Sequence, residues 1–463
     1  MSTARSAAGQ PCSIGPVAGD RGLRALWPPG DPCRLTLSTP CRHPSPCGLP
    51  CELKLGPERH AVLELGGLAR LALMAVPGGR GTFREQAQEL FAQVRCIVSR
   101  QAVALAPTTM MVFLRNPAEE AAALEVVRAT FGEAAPVTTV VTQPPIGGAA
   151  LGIELWAVGG NNVRLERISP GTLAVESDGI RWIYCGGVRG ETDAAGPYDE
   201  ATAAFRHMGR QLGLAGVGFE QVVRTWIYIN QITEGPEGRQ RYQELNRART
   251  DFYQDLRFGG GLRGPGVPEE LYPASTGIGT SGNGLDLACV ALDSRRPDVF
   301  IVPLENPRQT PACAYETRYS PQSPKFARAM AVVQGRFIST LVSGTASIVD
   351  AKTVHPGDIV RQTEQTLDNI ERLIGTENFA RHGLDGAGAT LGNVAKVRVY
   401  VKHPADYGAC RAVVERRLPG VPAMYLHADV CRPDLLVEIE AVAFSPFHGG
   451  VTRFPGKGRN GSA

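Results

Sequence analysis

The chain has 463 residues, of which 43% are hydrophobic and 20% are charged, a balance typical of globular proteins. The length exceeds one ordinary domain and predicts about three. A net charge of +3 predicts no basic stripe, so we expect no nucleic-acid partner. The sequence has no apolar run of membrane-spanning length, and its first ten residues lack a signal pattern. We therefore expect no membrane partner and a cytoplasmic location.

The first 59 residues differ in composition from the rest of the chain. They are rich in Pro and contain five of the eleven cysteines, at irregular spacings rather than in paired C-x-x-C motifs. This pattern argues against zinc and favours reduced thiols over a disulfide framework, so we expect no metal. We predict that residues 1–59 form a disordered or low-complexity extension and that residues 448–463 form a tail.

The remaining chain repeats one order of elements three times. Apolar residues at helical spacing alternate with short β-type runs, and two helices and the strand between them recur in each unit. The six predicted helices lie at residues 82–99, 117–131, 199–212, 241–256, 358–374 and 404–417. The strands between the helices of each unit lie at residues 108–114, 222–229 and 396–401.

Each unit is predicted as β-β-α-β-α-β-β, an α+β plan in which helices cover one face of a mixed sheet. The alternative is three unrelated pieces that share only this order of elements. Gly-rich and Pro-rich stretches support the division into lobes. We place the first lobe at residues 60–158, the second at 159–293, a linker with an active-site loop at 294–324, and the third lobe at 325–447.

The third lobe resembles the Rid family in RFISTLVSGTAS, IVRQTEQTLDNIERLI, KVRVYVKHPADY and VEIEAVAF. Members of that family form trimers with sites in the clefts between subunits. Three Rid-like lobes in one chain therefore predict a covalent pseudo-trimer with ligand sites at lobe interfaces. Such a chain is a monomer, or a homo-oligomer if an exposed sheet edge pairs with a second copy.

Three further segments, YPASTGIGTSGNG, AYETRYSPQSPKFARAM and YLHADVCRPDLLVEIE, are similar in this order to the chorismatase family. The resemblance implies an enzyme that acts on the small molecule chorismate and releases pyruvate and a hydroxybenzoate. The 3-isomer is favoured, while the 4-isomer or a non-aromatic diene acid stays open. The reaction is redox-neutral and the sequence has no nucleotide or metal motif, so we expect no cofactor.

Cleavage of the enol ether of chorismate requires a protonated acid. Glu438 lies between apolar Val437 and Ile439, where burial raises the pKa of a carboxyl group. The family motif implies that Glu438 is the general acid, and a salt bridge in the core is the alternative. Glu440 shares the strand face of Glu438 by the period of two, so one of the two carboxylates can be structural.

Cys431 and Gly344 correspond by resemblance to the branch of the family that makes 3-hydroxybenzoate. The thiol then helps to steer the ring intermediate, and the small glycine leaves room beside it. Simple packing is the alternative for the cysteine.

The two carboxylates of chorismate call for guanidinium and hydroxyl donors. The candidates lie in the loop before the third lobe, on a helix of the second lobe and on a strand of the third. Surface or interface roles are the alternative for each of them, and the tyrosines can serve in packing. These candidates are Tyr315, Arg318, Tyr319, Arg249 and Arg398.

Two rival functions are a Rid-type enamine or imine hydrolase and a non-catalytic small-molecule binding protein. Imine-hydrolysing Rid proteins carry an arginine soon after a Pro-Ala pair, whereas Pro422 and Ala423 are followed here by Met424. This departure counts against the hydrolase. The substitution Glu438→Gln separates the chorismatase from the binding protein. A binding protein keeps its ligand affinity and has no activity to lose, whereas the enzyme still binds chorismate but no longer converts it.

Overall fold

Three six-stranded sheets with one strand order follow each other along the chain. The computed structural model describes residues 51–56, 59–65, 67–190, 194–235, 239–317 and 321–448. In each sheet the first three strands form an antiparallel meander, the sixth strand inserts between the third and the fourth, and the fifth lies at the edge, parallel to the fourth. A helix connects the parallel pair, as such a crossover requires. The predicted threefold repeat is confirmed, with one strand more per unit than predicted.

The first lobe begins with the meander and continues with a capped helix. The Thr82 N–H group donates to the Glu85 carboxylate at 2.8 Å, and the Glu85 N–H group donates to Thr82 Oγ1, which forms a reciprocal capping box. Leu90, Phe91 and Val94 on the buried stripe of this helix pack on the sheet. The elements are β1 (Cys51–Gly56), β2 (His60–Leu65), β3 (Leu68–Ala75), α1 (Phe83–Ser99), β4 (Leu105–Leu114), α2 (Glu120–Phe131), β5 (Val137–Val141) and β6 (Leu151–Gly160).

The second lobe joins its two helices through aromatic rings. The ring centroid of Phe252 lies 5.5 Å from that of Phe205 and 5.0 Å from that of Phe219. Each such pair adds about 0.5–1.5 kcal/mol to the gain from burial. The elements are β7 (Arg164–Ser169), β8 (Thr172–Ser177), β9 (Ile180–Arg189), α3 (Pro197–Leu214), β10 (Val222–Asn230), α4 (Arg241–Tyr253), β11 (Ala274–Thr280) and β12 (Leu285–Ser294).

The third lobe adds a short hairpin and a short helix to the common plan. Its long first helix starts at Asp358, whose side chain accepts a hydrogen bond from the Arg361 N–H group at 3.0 Å, a typical N-cap. The elements are β13 (Val299–Leu304), β14 (Ala329–Gln334), β15 (Phe337–Ala346), β16 (Ile348–Val349), β17 (Lys352–Thr353), α5 (Ile359–Ile374), α6 (Thr376–Arg381), β18 (Val394–Val401), α7 (Tyr407–Arg417), β19 (Ala423–His427) and β20 (Val437–Pro446).

The three lobes close into a ring. Strand β5 contacts β9, β11 contacts β15 and β19 contacts β3, so the fifth strand of each lobe meets the third strand of the next. Inside the ring, one apolar cluster combines Met111 and Phe113 of the first lobe, Ile278 of the second and Leu426 of the third. The helices of each lobe pack on the opposite face of their own sheet. This arrangement confirms the predicted pseudo-trimer.

Two strands lie in segments for which the sequence pattern predicts other structure. Strand β1 falls within residues 1–59, predicted as a disordered extension, and β13 falls within the linker predicted at 294–324. Both are outer strands of their sheets, and both adjoin Pro-rich sequence that masks the period of a strand. Residues 1–50 of the predicted extension and 449–463 of the predicted tail lie outside the described residues. The other lobe boundaries stay predictions.

The cysteines also depart from expectation at one position. Cys96 on α1 is disulfide-bonded, so the prediction of reduced thiols is wrong there. The free thiols of the described residues are Cys185, Cys289, Cys313, Cys410 and Cys431.

Within the described ranges, no three His, Cys, Asp or Glu side chains are placed to hold a metal ion together. No helix of that part of the chain has the length and apolar character needed to cross a membrane.

Candidate active site

A cavity of about 630 Å³ lies between the second and third lobes. Its walls come from α4 and β11 of the second lobe, from β15 and β20 of the third, and from the segments that precede β14 and β20. This is the interface position that the pseudo-trimer predicts. The residues Arg318 and Tyr319 lie outside the described part of the chain. The predicted site residues that line the cavity are Glu438, Cys431, Gly344, Tyr315 and Arg249.

Glu438 is a buried carboxyl group in the cavity wall. It lies on β20 between β15 and β18 and is only 5% exposed. Burial, and after it the negative charge of Glu440, raises the pKa of Glu438 to about 8, although Arg224 and Arg328 oppose this shift. At neutral pH the carboxyl group therefore holds a proton that it can donate, as its apolar sequence neighbours predict.

Glu440 lies two residues further along the same strand face and has the opposite charge state. Its carboxylate accepts hydrogen bonds from Arg224 Nη2 at 2.9 Å, Trp226 Nε1 at 3.0 Å and Thr276 Oγ1 at 2.6 Å. Burial alone raises the pKa of Glu440, but the neighbouring cations, above all Arg398, bring it well below its usual range. One carboxylate of the pair is thus a buried acid and the other a fixed negative charge.

Arg398 does not line the cavity, which corrects its assignment to the substrate-binding residues. Its cross-strand neighbour in the β18–β20 register is Glu440, and Nη1 lies 3.2 Å from a carboxylate oxygen of that residue. Its Nε donates to Glu154 of the first lobe, and Nη1 donates to Tyr228 Oη at 2.9 Å. The guanidinium group is therefore used in joining the three lobes.

Two other buried guanidinium groups line the cavity without an ion pair to a described carboxylate. Arg249 on α4 is 2% exposed, and its Nη2 donates to Asn246 Oδ1 at 2.6 Å. Arg328 is 3% exposed, and its Nη2 donates to Tyr315 Oη at 2.5 Å and to the Thr310 carbonyl oxygen at 3.0 Å. The Nε atom of each has no hydrogen-bond partner among the described residues. Because buried charges are costly without a partner, this cavity favours a ligand with two anionic groups.

Sequence reasoning missed Arg328 and Tyr242, which also line the cavity. Tyr242 precedes Arg249 by two helical turns and so shares its face of α4. That spacing is the signal that would have identified Tyr242. Arg328 stands between Ala327 and Ala329 at the start of a buried strand, and a lone charge in such a position is the corresponding signal.

Gly344 allows close contact between β15 and the acid. A Cβ atom at this position would lie 1.9 Å from Glu438 Oε1, so a larger side chain requires the carboxyl group to move. The Gly344 N–H group donates to Thr276 Oγ1 at 3.0 Å, and Thr276 in turn donates to Glu440. The backbone beside the acid is therefore fixed to the charged member of the carboxylate pair.

Cys431 lies in the loop between β19 and β20, which is held against the second lobe. The Gly279 N–H group donates to the Asp429 carbonyl oxygen at 2.9 Å, and Thr233 Oγ1 donates to the Asp429 carboxylate at 2.7 Å. A Cβ atom on Gly279 would lie 2.7 Å from that carbonyl oxygen, so only glycine permits this approach. Burial, and next the charge of Glu438, raises the pKa of Cys431 to about 12. The side chain is therefore a neutral thiol, not a reactive thiolate.

The two equivalent clefts of the ring hold different side chains from those around Glu438. In the strand registers, Asp286 of β12 and Gly152 of β6 take the position of Glu438. Asp286 is ion-paired at 2.6 Å with Arg189 of β9, which also pairs at 2.8 Å with Glu120 and so joins the second lobe to the first. A Cβ atom on Gly152 would lie 3.0 Å from the sulfur atom of Met424, which fills the cleft between the third and first lobes.

Two family models match parts of the chain. Residues 154–291 match the family model described as Chorismatase FkbO/Hyg5-like, N-terminal, and residues 324–445 match the model Endoribonuclease L-PSP. A 3-hydroxybenzoate synthase of Streptomyces hygroscopicus is 36% identical over 276 residues, which cover 58% of this chain and 77% of that protein. The chain belongs to the chorismatase family.

Further comparisons extend this result to the fold. A chorismatase of Streptomyces rapamycinicus is 36% identical over 276 residues, which cover 57% of this chain and 77% of that one. A crystal structure of a chorismatase superposes with a TM-score of 0.58 at 23% identity and covers 82% of this chain and 100% of that one. This coverage exceeds the extent of the second and third lobes, so the first lobe takes part in the chorismatase fold.

Met424 argues against the imine-hydrolase alternative. It stands where imine-hydrolysing Rid proteins carry arginine, and it is 2% exposed in the apolar cluster that includes Met111 and Phe113. Its side chain closes an interface instead of binding a carboxylate. The imine-hydrolase alternative is therefore not favoured.

Proposed function

We propose that the protein cleaves the enol ether of chorismate and releases pyruvate and 3-hydroxybenzoate. The observation that carries this proposal is Glu438, a carboxyl group that is protonated at neutral pH in the wall of the inter-lobe cavity. Membership of the chorismatase family supports the choice of substrate, and the relative named 3-hydroxybenzoate synthase supports the choice of product.

Glu438 is the general acid in this proposal. Its proton goes to the methylene carbon of the enol ether, and the electrons of the carbon–carbon double bond form the new C–H bond. Positive charge then develops on the ether-bearing carbon, and the carboxylate left on Glu438 stabilises it. The bond between the ring carbon and the ether oxygen breaks with its electron pair going to that oxygen, which becomes the keto oxygen of pyruvate. The hydroxyl oxygen of the ring moves to the vacated carbon, and the ring aromatises by losing one proton to the Glu438 carboxylate. The atoms of pyruvate and 3-hydroxybenzoate together equal those of chorismate, so the net reaction requires no oxidant or reductant.

Arg249 and Arg328 bind the two carboxylates of chorismate in this proposal. Each is a buried cation with an Nε–H group that no described residue uses, and a guanidinium group binds a carboxylate through two parallel hydrogen bonds. Tyr315 fixes Arg328 through its hydroxyl group. Arg318 and Tyr319, on the same segment, stay candidates from the sequence.

Cys431 and Gly344 select the product in this proposal. The raised pKa of Cys431 keeps the thiol neutral, so it acts by contact and hydrogen bonding with the ring intermediate and not as a nucleophile. Gly344 leaves the space in which the Glu438 carboxyl group lies. Together they favour the aromatic product.

Incubation of the full chain with chorismate, without added cofactor, tests the proposal. Pyruvate is followed by a coupled assay with lactate dehydrogenase, and the aromatic product is compared by chromatography with 3- and 4-hydroxybenzoate. Equal amounts of pyruvate and 3-hydroxybenzoate are expected. Pyruvate with a non-aromatic diene acid would contradict the product assignment, and no pyruvate would overturn the proposed activity. Glu133→Gln, at an exposed carboxylate, is the matched control for Glu438→Gln.

A further inference from the structure

A second, smaller cavity lies where the three lobes meet at the centre of the ring. Its volume is about 90 Å³, and its walls come from every lobe, including Met111 of the first, Ala288 of the second and Val442 of the third. Its lining residues are distinct from those of the cavity that contains Glu438. We call it the axial cavity.

The axial cavity is lined by an unbalanced set of charges. Five of its charged side chains are at most 2% exposed, and they comprise two carboxylates and three cations. Pairing both carboxylates therefore leaves one positive charge in excess, and a buried charge without compensation is costly. These five side chains are Glu154, Glu440, Arg224, Lys396 and Arg398.

A sixth charged group increases the imbalance. Arg70, which is partly exposed, also lines the axial cavity. Its Nη2 donates to the amide oxygen of Gln334 at 3.4 Å, and none of the described carboxylates forms an ion pair with it. The wall of the cavity thus carries four cations against two carboxylates.

Within the described part of the chain, Arg224 is the member of these five that has a donor atom without a partner. Its Nη2 donates to Glu440 at 2.9 Å and to Thr276 Oγ1, but its Nη1 has no hydrogen-bond partner among the described residues. Burial lowers the pKa of Arg224 and of Lys396; Glu440 and Glu154 respectively oppose this shift, but the net change is still downward, as expected for cations that are not fully balanced. A water molecule would satisfy the N–H group but would not balance the charge.

We propose that the axial cavity binds one small monovalent inorganic anion of the halide class, next to Arg224 and Lys396. One negative charge cancels the excess of the five buried groups. The volume of the cavity suits a single halide ion with a few water molecules and is too small for an organic acid of the size of chorismate. Trp182 also lines the cavity, and its Nε1–H group is a further donor without a hydrogen-bond partner among the described residues.

The test uses the full chain and bromide as the probe. Crystals soaked in sodium bromide and measured at the bromine absorption edge are expected to show an anomalous peak in the axial cavity, within hydrogen-bond distance of Arg224. In solution, bromide is compared with gluconate, which is too large for the cavity, at an equal ionic strength of about 0.3 M that screens surface charges. Binding is expected to raise the Tm in bromide by on the order of 2 °C.

Two variants with the same change in net charge sharpen the test. Arg70→Gln removes a wall cation without leaving a described carboxylate unpaired and is expected to weaken the bromide-specific shift in Tm. Arg257→Gln, at an exposed position on the second lobe, is expected to keep it. Equal Tm values of the unsubstituted protein in bromide and gluconate, with no anomalous peak in the axial cavity, would overturn the proposal in favour of water alone. An equal bromide shift in both variants, with peaks only at the surface, would identify an adventitious ion only and overturn it as well.

Discussion

Glu438→Gln removes the acidic proton and the ionisable group while it keeps the shape of the side chain. The pKa of Glu438 is raised from 4.5 to about 8, and each pH unit is worth about 1.4 kcal/mol, so the ionised form is disfavoured in the folded protein by about 5 kcal/mol. The folded protein therefore holds a proton that the unfolded chain releases. Proton binding by Glu438 makes its full contribution to the free energy of unfolding below about pH 4.5, and this contribution is lost as the pH rises through about 8.

The glutamine variant avoids this alkaline loss because its amide does not ionise. The Tm of the variant minus the Tm of the unsubstituted protein should therefore be several degrees larger at about pH 9 than at about pH 5.5. Differential scanning calorimetry at the two pH values measures this change, and Glu133→Gln should show no such gain. A Tm difference independent of pH would refute the conclusion that Glu438 is protonated in the folded protein.

The same variant tests the catalytic role of the proton. Loss of a general acid typically lowers the rate by a factor of about 10²–10⁴, so we expect kcat for pyruvate release to fall by that factor, with chorismate binding retained in calorimetric titration. In the unsubstituted enzyme, kcat/KM should fall as the pH rises through about 8, because the acid must be protonated. A fall in kcat of less than about tenfold would show that another group supplies the proton.

The other predictions concern the groups around the acid. Gly344→Ala should lower kcat by about 10- to 100-fold, because its Cβ atom displaces the Glu438 carboxyl group, and a rate unchanged in the pyruvate assay would contradict this. Cys431→Ala should keep most of the pyruvate release but shift the product towards the non-aromatic diene acid, as measured by chromatography. Glu440→Gln should move the alkaline limb of the kcat/KM profile to lower pH, since the charge of Glu440 raises the pKa of Glu438; an unmoved limb would limit Glu440 to a structural role. Arg249→Gln should raise KM by about 10- to 100-fold, whereas the exposed Arg257→Gln should leave it unchanged.

The spacing of apolar residues predicts the interior helices and strands of each lobe, because buried residues recur with the period of the helix or strand that contains them. The helix predicted at residues 358–374 is α5 (Ile359–Ile374), and the strand predicted at 396–401 lies within β18 (Val394–Val401). The sequence pattern does not predict strand β13 because its sequence, VFIVPL, contains Pro303 and two more prolines, Pro307 and Pro311, follow it closely. An edge strand tolerates proline because one side of it has no ladder to complete, and the sequence alone does not show that a strand lies at an edge.

The site was predictable where one strand or one motif determines it. Burial of Glu438 follows from its own neighbours on β20, and Gly344 and Cys431 follow from the family resemblance. Arg398 could not be placed in this way, because the closure of the ring decides whether its side chain meets the substrate cavity or Glu154 of another lobe. Arg328 was missed for a similar reason, since the second lobe completes the cavity around it.

The different side chains in the three clefts bear on how such a protein can evolve. In a symmetric trimer every substitution appears at three interfaces at once, so a residue that suits one reaction centre also changes the contacts in its two copies. One covalent chain removes that coupling. The equivalent positions hold Glu438, Asp286 and Gly152, and the small Ala346 stands in the third lobe where Arg189 stands in the second. Two interfaces then hold the lobes together, and the third carries the reaction. Chorismate should therefore bind with a stoichiometry of one per chain.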